Sequence, residues 1–440
     1  MRPTFTRFIR WLQKPKWKLS IGSWIGVVLF LLVALAVFGF FFVRRQIIEY
    51  RPAHTFAVSD PAFFGSAHAL ADPLPLPGNK IELLNNGDEI FPALLGAIAQ
   101  AQATINFEAY ILHSDAVGRQ FFQAFMKKAR EGIEVRLLLD GMGSGKGLDN
   151  EDVESMTAAG CQVVYYHPAR SWRVDKLNRR THRRVLVIDG RVAFTGGVGF
   201  SEEWAGNAES PAHWRDLHAR IEGPLVAKMQ GAFQQHWGSA TTEILAGPNF
   251  FPRLEPAGDL VGQMTASHSY SLAPIPLLQA VAIAAAEKRI WITNPYCMPT
   301  DDQIELLTAA VARGVEVKIL VPGKHNDQPA TKSAGRSRYG ELLRGGVRIF
   351  EYHPTMIHQK TMVIDGLFSV FGSSNLDARS AAINEELDIT VYDAGFAHEL
   401  ETIFQRDLAH AGPYTLEEFE KRSLWERITE WMTSPFRQQL

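Results

Sequence analysis

Residues 21–43 run without a single charged side chain, and as a helix this stretch would be about 34 Å long, enough to cross the hydrocarbon core of a bilayer. Beyond it the pattern changes to short apolar runs alternating with amphipathic stretches. Residues 44–79, Pro-rich and irregular around Asp72 to Pro77, read as a linker. The periodicity then predicts a helix over 87–101, a strand over 104–112, a helix over 116–130 and a strand over 134–139. The same order returns as helix 277–287, strand 289–294, helix 304–313 and strand 316–321.

The two halves echo each other most closely at Glu131-Gly-Ile-Glu-Val-Arg-Leu-Leu-Leu and Arg313-Gly-Val-Glu-Val-Lys-Ile-Leu-Val. Gly132 and Gly314 stand just past a helix end, where glycine is favoured. The fold class is therefore α/β, with layered, mainly parallel sheets. The chain divides into a basic cytoplasmic segment (1–20), a transmembrane helix (21–43), a linker (44–79), a first repeat (80–250), a second repeat (251–412) and a C-terminal amphipathic helix (413–440). In that last stretch Thr415 and Glu418 form a capping box. Leu424, Trp425, Ile428, Trp431 and Met432 recur at helical spacing beside Arg422 and Arg427, a face suited either to the bilayer interface or to packing on the protein itself.

Composition changes this picture little: 440 residues, 46% hydrophobic and 21% charged, describe a folded chain long enough for two substantial cores. The net charge of -2 argues against a nucleic-acid partner. Cys161 and Cys297 are too few for a disulfide framework and lack CxxC spacing, so no structural metal site is expected. Arg2, Arg7, Arg10, Lys14, Lys16 and Lys18 precede the apolar run and only Arg44, Arg45 and Arg51 follow it. The positive-inside rule thus predicts a single-pass protein of the cell (inner) membrane with its N-terminus in the cytoplasm and its catalytic body on the outer face.

The chemistry is carried by a duplicated pattern. His182, Arg184 and Asp189 precede Gly196, Gly197, Val198 and Gly199, and His358, Lys360 and Asp365 precede Gly372, Ser373, Ser374 and Asn375. Both copies lie beside an apolar run ending in Asp-Gly, which reads as a buried strand and a turn. A histidine and a cation two residues apart share one face of a strand. Two such faces suit phosphodiester transfer: one imidazole attacks phosphorus, and the other protonates the leaving alkoxide. Arg184, Lys360, Ser373 and Asn375 would hold the phosphoryl oxygens, without a metal or other cofactor. Asp216 and Glu386, at similar places downstream of their own motifs, are candidates to orient the histidines. Asp189 and Asp365 complete the motif, but their odd spacing from the histidines points them to the opposite face, where they would cap turns. Gly141 to Gly147, with Lys146, lacks the spacing of a phosphate loop and reads as a flexible loop.

From Tyr165-Tyr166-His167-Pro168 to His182, and from Glu351-Tyr352-His353-Pro354 to His358, the distances differ by ten residues. The extra segment in the first half holds Arg170, Trp172, Arg173, Lys176, Arg179 and Arg180 against one acid, Asp175. Such a basic rim would steer an anionic head group.

The two HxKxxxxD-type copies resemble the phospholipase D superfamily, and within it bacterial cardiolipin synthases, from about Lys80 to the C-terminus. Asn294-Pro295-Tyr296-Cys297-Met298-Pro299 and Asn375-Leu376-Asp377-Ala378-Arg379-Ser380 support the likeness. The resemblance implies a pseudo-twofold fold of two α-β-α sandwich repeats with both histidines in one cleft. It also implies a catalytic set of His182, Arg184, Asp189, His358, Lys360 and Asp365, with His182 as nucleophile and His358 as acid and base. The implied activity is transfer of a phosphatidyl group through a phosphohistidine to a glycerol-type hydroxyl, with phosphatidylglycerol as substrate. Phospholipase D hydrolysis to phosphatidic acid and a catalytically impaired membrane scaffold are the alternatives. Arg184 stands where the family has lysine, and Gly199 where many members have asparagine.

Overall fold

The computed structural model describes residues 21–38, 48–70, 74–168, 178–267 and 274–434. The chain separates into two compact units, Met1–Arg45 and Gln46–Leu440. In the first, Ile21–Phe38 forms an apolar helix whose described side chains are exposed. Among the described residues no helix is long and apolar enough to cross a membrane; positions 39–43 of the predicted span lie outside them.

The second unit is built on one continuous sheet. Its first half contributes β1 (Leu76–Asn85), β2 (Thr104–Ala109), β3 (Glu134–Asp140), β4 (Gln162–Tyr166), β5 (Val185–Ile188), β6 (Val192–Gly196) and β7 (Leu217–Glu222). The second half adds β8 (Leu260–Ala266), β9 (Arg289–Thr293), β10 (Glu316–Pro322), β11 (Arg348–Tyr352), β12 (Thr361–Ile364), β13 (Phe368–Gly372), β14 (Leu387–Tyr392) and β15 (Ala411–Tyr414). Among the described residues the order is β15-β11-β10-β9-β12-β13-β14-β8-β1-β7-β6-β5-β2-β3-β4. Apart from β15, it reads the same outward from the central β1–β8 pair in both directions, which is the pseudo-twofold duplication.

The expectation of a mainly parallel sheet needs correction. Among the described strands only β2-β3-β4 and β9-β10-β11 are parallel; the remaining neighbours run antiparallel. The reason lies in the Asp-Gly turns. Asp189 and Gly190 have φ of 54° and 62°, and Asp365 and Gly366 have φ of 56° and 68°. Two successive left-handed residues make a tight hairpin, so β5–β6 and β12–β13 fold back on themselves where a crossover helix would have kept them parallel.

One hydrophobic cluster is shared by the two repeats. Ile81, Leu83, Ala219, Ile221, Leu225 and Met229 pack with Met264, Phe371, Leu387, Ile389, Phe396 and Leu400. Each fully buried side chain of this kind contributes about 1.5–3 kcal/mol, so the halves are held as one body. The segment expected to be only a linker is partly structural: it carries the helix Pro61–Leu70, whose buried Phe63 meets the rings of Phe368 and Tyr392 in the second repeat's core. The C-terminal stretch is also revised. β15 closes the sheet edge, followed by two helices, Leu416–Glu420 and Leu424–Thr433, each opened by its own capping box.

Candidate active site

Each motif histidine lies on extended backbone leading into a strand, His182 before β5 and His358 before β12. Alternation sorts the neighbouring side chains. Thr181 turns to Glu108, and Arg183 donates to the carbonyls of Ala232 (3.1 Å) and Ser267 (2.9 Å); His182 and Arg184 take the other side. Gln359 likewise bonds Asp407, leaving His358 and Lys360 together. These strands dock on the opposite repeat. The His182 amide donates to the Glu385 carbonyl at 2.9 Å and the His358 amide to the Arg215 carbonyl at 2.7 Å.

The orienting carboxylates are exchanged between halves. His182 Nδ1 lies 2.9 Å from Glu386 Oε2, and His358 Nδ1 lies 2.8 Å from Asp216 Oδ2. Glu386 also accepts from Ser373 Oγ (2.5 Å), Ser380 Oγ (2.7 Å) and Asn384 Nδ2 (3.3 Å). Asp216 accepts from Trp204 Nε1 and the Leu217 amide, both at 2.8 Å. A carboxylate on Nδ1 fixes the tautomer that leaves Nε2 unprotonated.

The cations sit close to the rings. Lys360 Nζ is 2.9 Å from His358 Nε2, and an Arg184 Nη is 3.2 Å from His182 Nε2. Burial pulls His182 down to about 4 and His358 to about 3, reinforced by Arg184 and Lys360 respectively and opposed by the carboxylates. Burial pulls Lys360 down to about 7. Burial alone would raise Asp216, but His358 and Lys360 outweigh it and hold the carboxyl at about 2; Glu386 is likewise lowered, with His182 the main charge offsetting its burial. Lys360 acts on His182 and Arg184 on His358, so the two half-sites share one electrostatic neighbourhood: ionised carboxylates, neutral imidazoles and adjacent cations.

Two expected roles are corrected. Asp189 and Asp365 take no part in this cleft. Asp189 accepts from the amides of Gln102, Ala103 and Thr104, and Asp365 from those of Glu287, Lys288 and Arg289. Their carboxylates are consumed in tying the hairpin turn to the start of β2 or β9, so catalytic membership does not extend to them. Ser373, expected to bind phosphate, spends its hydroxyl on Glu386 and on the Leu387 amide. Asn375 keeps a buried side-chain oxygen without a hydrogen-bond partner. The loop 141–147 is tied down: Asp140 accepts from the amides of Met142 and Gly143, and Ser144 Oγ bonds the Tyr110 carbonyl. Of the basic insertion, Arg170, Trp172, Arg173 and Lys176 lie outside the described residues.

The Gly199 departure has a structural cause. A Cβ there would stand 2.7 Å from the ring of Trp204. Trp204 occupies the place that Ser380 takes in the second repeat, and each donates to its repeat's orienting carboxylate. The larger indole also packs edge-on against His358, its centroid 5.3 Å away. Glycine and tryptophan are thus a matched pair.

Several contributors lie outside the two histidine motifs, Tyr296 among them in the segment 294–299 that supports the family likeness. Tyr110 lies 5.2 Å from the His182 ring, and Trp214 and Tyr296 lie 5.5 and 5.9 Å from that of His358. Behind Thr181, His236 is held between Glu108 (2.6 Å) and Glu385 (3.2 Å). Superposing the repeats by their motifs would have exposed Trp204, and the segment 294–299 pointed to Tyr296; Tyr110, Trp214 and His236 are brought in by folding. Among the described residues His113, Asp115 and Glu203 form a group able to hold a metal ion. Asp115, however, already accepts from the Gly118 and Glu202 amides, and Glu203 from Ser201.

A profile described as "Cardiolipin synthase, PLD-like domain" matches residues 94–237 and 280–408. The chain is 34% identical over 354 residues to a probable cardiolipin synthase of Bacillus subtilis, covering 80% of this chain and 70% of that one. It is also 34% identical over 346 residues to cardiolipin synthase A of Pseudomonas syringae, covering 78% and 71%. Among solved structures, phosphatidylserine synthase from Haemophilus influenzae superposes with a TM-score of 0.67 at 13% identity, over 86% of this chain and 100% of that one, a likeness of fold.

Proposed function

Because this chain belongs to the family of cardiolipin synthases with phospholipase D-like domains, we propose that it transfers a phosphatidyl group from one phosphatidylglycerol to a second. His182 Nε2 attacks the donor phosphorus, the bond from phosphorus to the glycerol oxygen breaks, and His358 delivers a proton to the departing glycerol. His358 then takes the proton of the acceptor's hydroxyl, whose oxygen displaces His182 and completes cardiolipin. Arg184, Lys360 and the Asn375 amide hold the phosphoryl oxygens as charge grows on them. A neutral His182 is a ready nucleophile. The charge of the bound phosphodiester raises the proton affinity of His358, so the acid form arises with substrate in place.

The observation that carries this reading is the exchanged pairing of His182 with Glu386 and His358 with Asp216, which arms two imidazoles for complementary roles. Incubating purified protein with labelled phosphatidylglycerol tests it: cardiolipin and glycerol are expected, and phosphatidic acid alone would establish hydrolysis instead.

The proposal extends to the membrane. The apolar helix Ile21–Phe38 is the described part of a single-pass anchor over residues 21–43, with the N-terminus cytoplasmic and the catalytic body on the outer face. The helix Leu424–Thr433 supports a bilayer setting, since Leu424, Trp425, Trp431 and Met432 are largely exposed while Glu430 is buried against Arg422.

A further inference from the structure

One phenol beside the nucleophile has no part in the chemistry described above. Tyr110 follows directly on β2. Its ring stands edge-on to His182, centroids 5.2 Å apart, with the Arg184 guanidinium 5.8 Å from its centre. The loop 141–147 seats it. Ser144 Oγ donates to the Tyr110 carbonyl at 3.0 Å, and Gly143 lies so close to the ring that a Cβ there would stand 2.7 Å from Cδ2 and Cε2. The ring is therefore held in place, yet the residue is only partly buried, and among the described residues its hydroxyl has no hydrogen-bond partner. Burial and Asp140 raise the phenol above its ordinary value against the pull of Arg180, Arg379 and Arg184, so it keeps its proton and meets an anion as a donor.

The second repeat spends its phenol differently. Tyr296, after β9, stands 5.9 Å from the His358 ring, but its hydroxyl is committed to Asp327, 2.8 Å from both carboxylate oxygens. That repeat has Asn375 to offer the phosphoryl group. In the first repeat Gly199 offers no side chain, and the indole of Trp204 closes the space a larger residue would need. The half-sites are complementary: where the asparagine is present the phenol is engaged, and where it is missing the phenol is open. In the reaction proposed above, on which this inference rests, negative charge grows on phosphoryl oxygens held between the two histidines. We propose that the Tyr110 hydroxyl is the first repeat's missing phosphoryl donor, a catalytic residue that bonds a non-bridging oxygen while His182 attacks and is later displaced.

Tyr110→Phe tests this, since it keeps the ring against His182 and removes only the oxygen. With the full chain and vesicles of labelled phosphatidylglycerol, kcat for donor consumption is expected to fall on the order of 10–100-fold with KM nearly constant, the usual worth of a hydrogen bond to a charged group. Orthovanadate, which takes up the five-coordinate geometry of phosphorus in transfer, is expected to bind the variant roughly tenfold or more weakly by calorimetry. The thermal midpoint should hold, because the hydroxyl supports nothing in the folded chain. A vanadate affinity equal to that of wild type overturns the proposal, whatever happens to kcat, since a ring that only packs would leave it unmoved. Should the wild-type chain leave phosphatidylglycerol intact, the transferase reading fails by itself, and the vanadate comparison still decides the role of the phenol.

Discussion

His182 and Glu386, 204 positions apart in the chain, meet at 2.9 Å through Nδ1 and a carboxylate oxygen, and His358 answers with Asp216 across 142 positions. Neither repeat therefore contains a complete catalytic histidine. The motif in one half is armed by an acid in the other.

Removing the charge from either acid tests this dependence. Glu386→Gln and Asp216→Asn keep side-chain shape but favour the wrong tautomer, and kcat is expected to fall on the order of 10³–10⁴-fold with little change in KM. Steady-state kinetics on phosphatidylglycerol provide the check. Trapping of labelled protein during turnover should also show much less phosphohistidine in Glu386→Gln, because Glu386 serves the nucleophile. A fall of less than tenfold in both variants would remove the exchanged pairs from the mechanism.

The pH profile follows from the buried charges. His182 needs to be unprotonated to attack, and its proton affinity is pulled down to about 4, so with substrate bound and His358 holding its proton, kcat should hold as pH falls from 7 and decline only near 4. Lys360 needs its proton to stabilise the phosphoryl charge, and it loses that proton as pH rises through about 7. The alkaline decline should therefore begin near 7. Lys360→Arg should move it beyond pH 9, since a guanidinium keeps its proton; Arg184 occupies the equivalent position in the first motif.

Gly199 and Trp204 should behave as a unit. Gly199→Asn forces a Cβ against the indole and is expected to cost about 1–3 kcal/mol through overpacking. Combining it with Trp204→Ser, which recreates the arrangement of Asn375 and Ser380, should return part of that loss. A double-mutant cycle by thermal or denaturant unfolding measures the coupling. Strictly additive effects would show that the pair is not matched.

Asp365→Ala should lower stability and spare the chemistry. Three backbone amides lose their acceptor; those of Glu287 and Lys288 are exposed and can turn to water, so the expected loss is about 1 kcal/mol, the net worth of a hydrogen bond. Folded enzyme at low temperature should keep kcat within a few-fold of wild type. A loss comparable to that of Glu386→Gln would restore this aspartate to the catalytic set.

His236→Phe should be among the most damaging changes outside the cleft. It strips the shared partner from Glu108 and Glu385, both buried, and a buried polar group left unmet costs about 1–3 kcal/mol. The denaturant midpoint is the readout, and Glu108→Gln in the same background should recover part of the loss.

The sequence by itself determined the local features and the duplication. The helix predicted over 116–130 forms as Ala116–Arg130, with Lys127, Lys128 and Arg130 in its last turn. The Asp-Gly pairs read as turns, and the spacing that placed each histidine beside a cation is reproduced, because strand alternation acts between adjacent residues. Sequence spacing also turned Asp189 and Asp365 away from the histidines. What only the tertiary structure decided is which groups meet across the pseudo-twofold axis. The exchange of Glu386 and Asp216, and the docking of each histidine's amide on a carbonyl of the opposite repeat, depend on a shared sheet that closes at β1 and β8. Their separation along the chain leaves no periodic trace. They come together because the two repeats bury a common hydrophobic face, and that burial, not local propensity, fixes the distances at which the chemistry is possible.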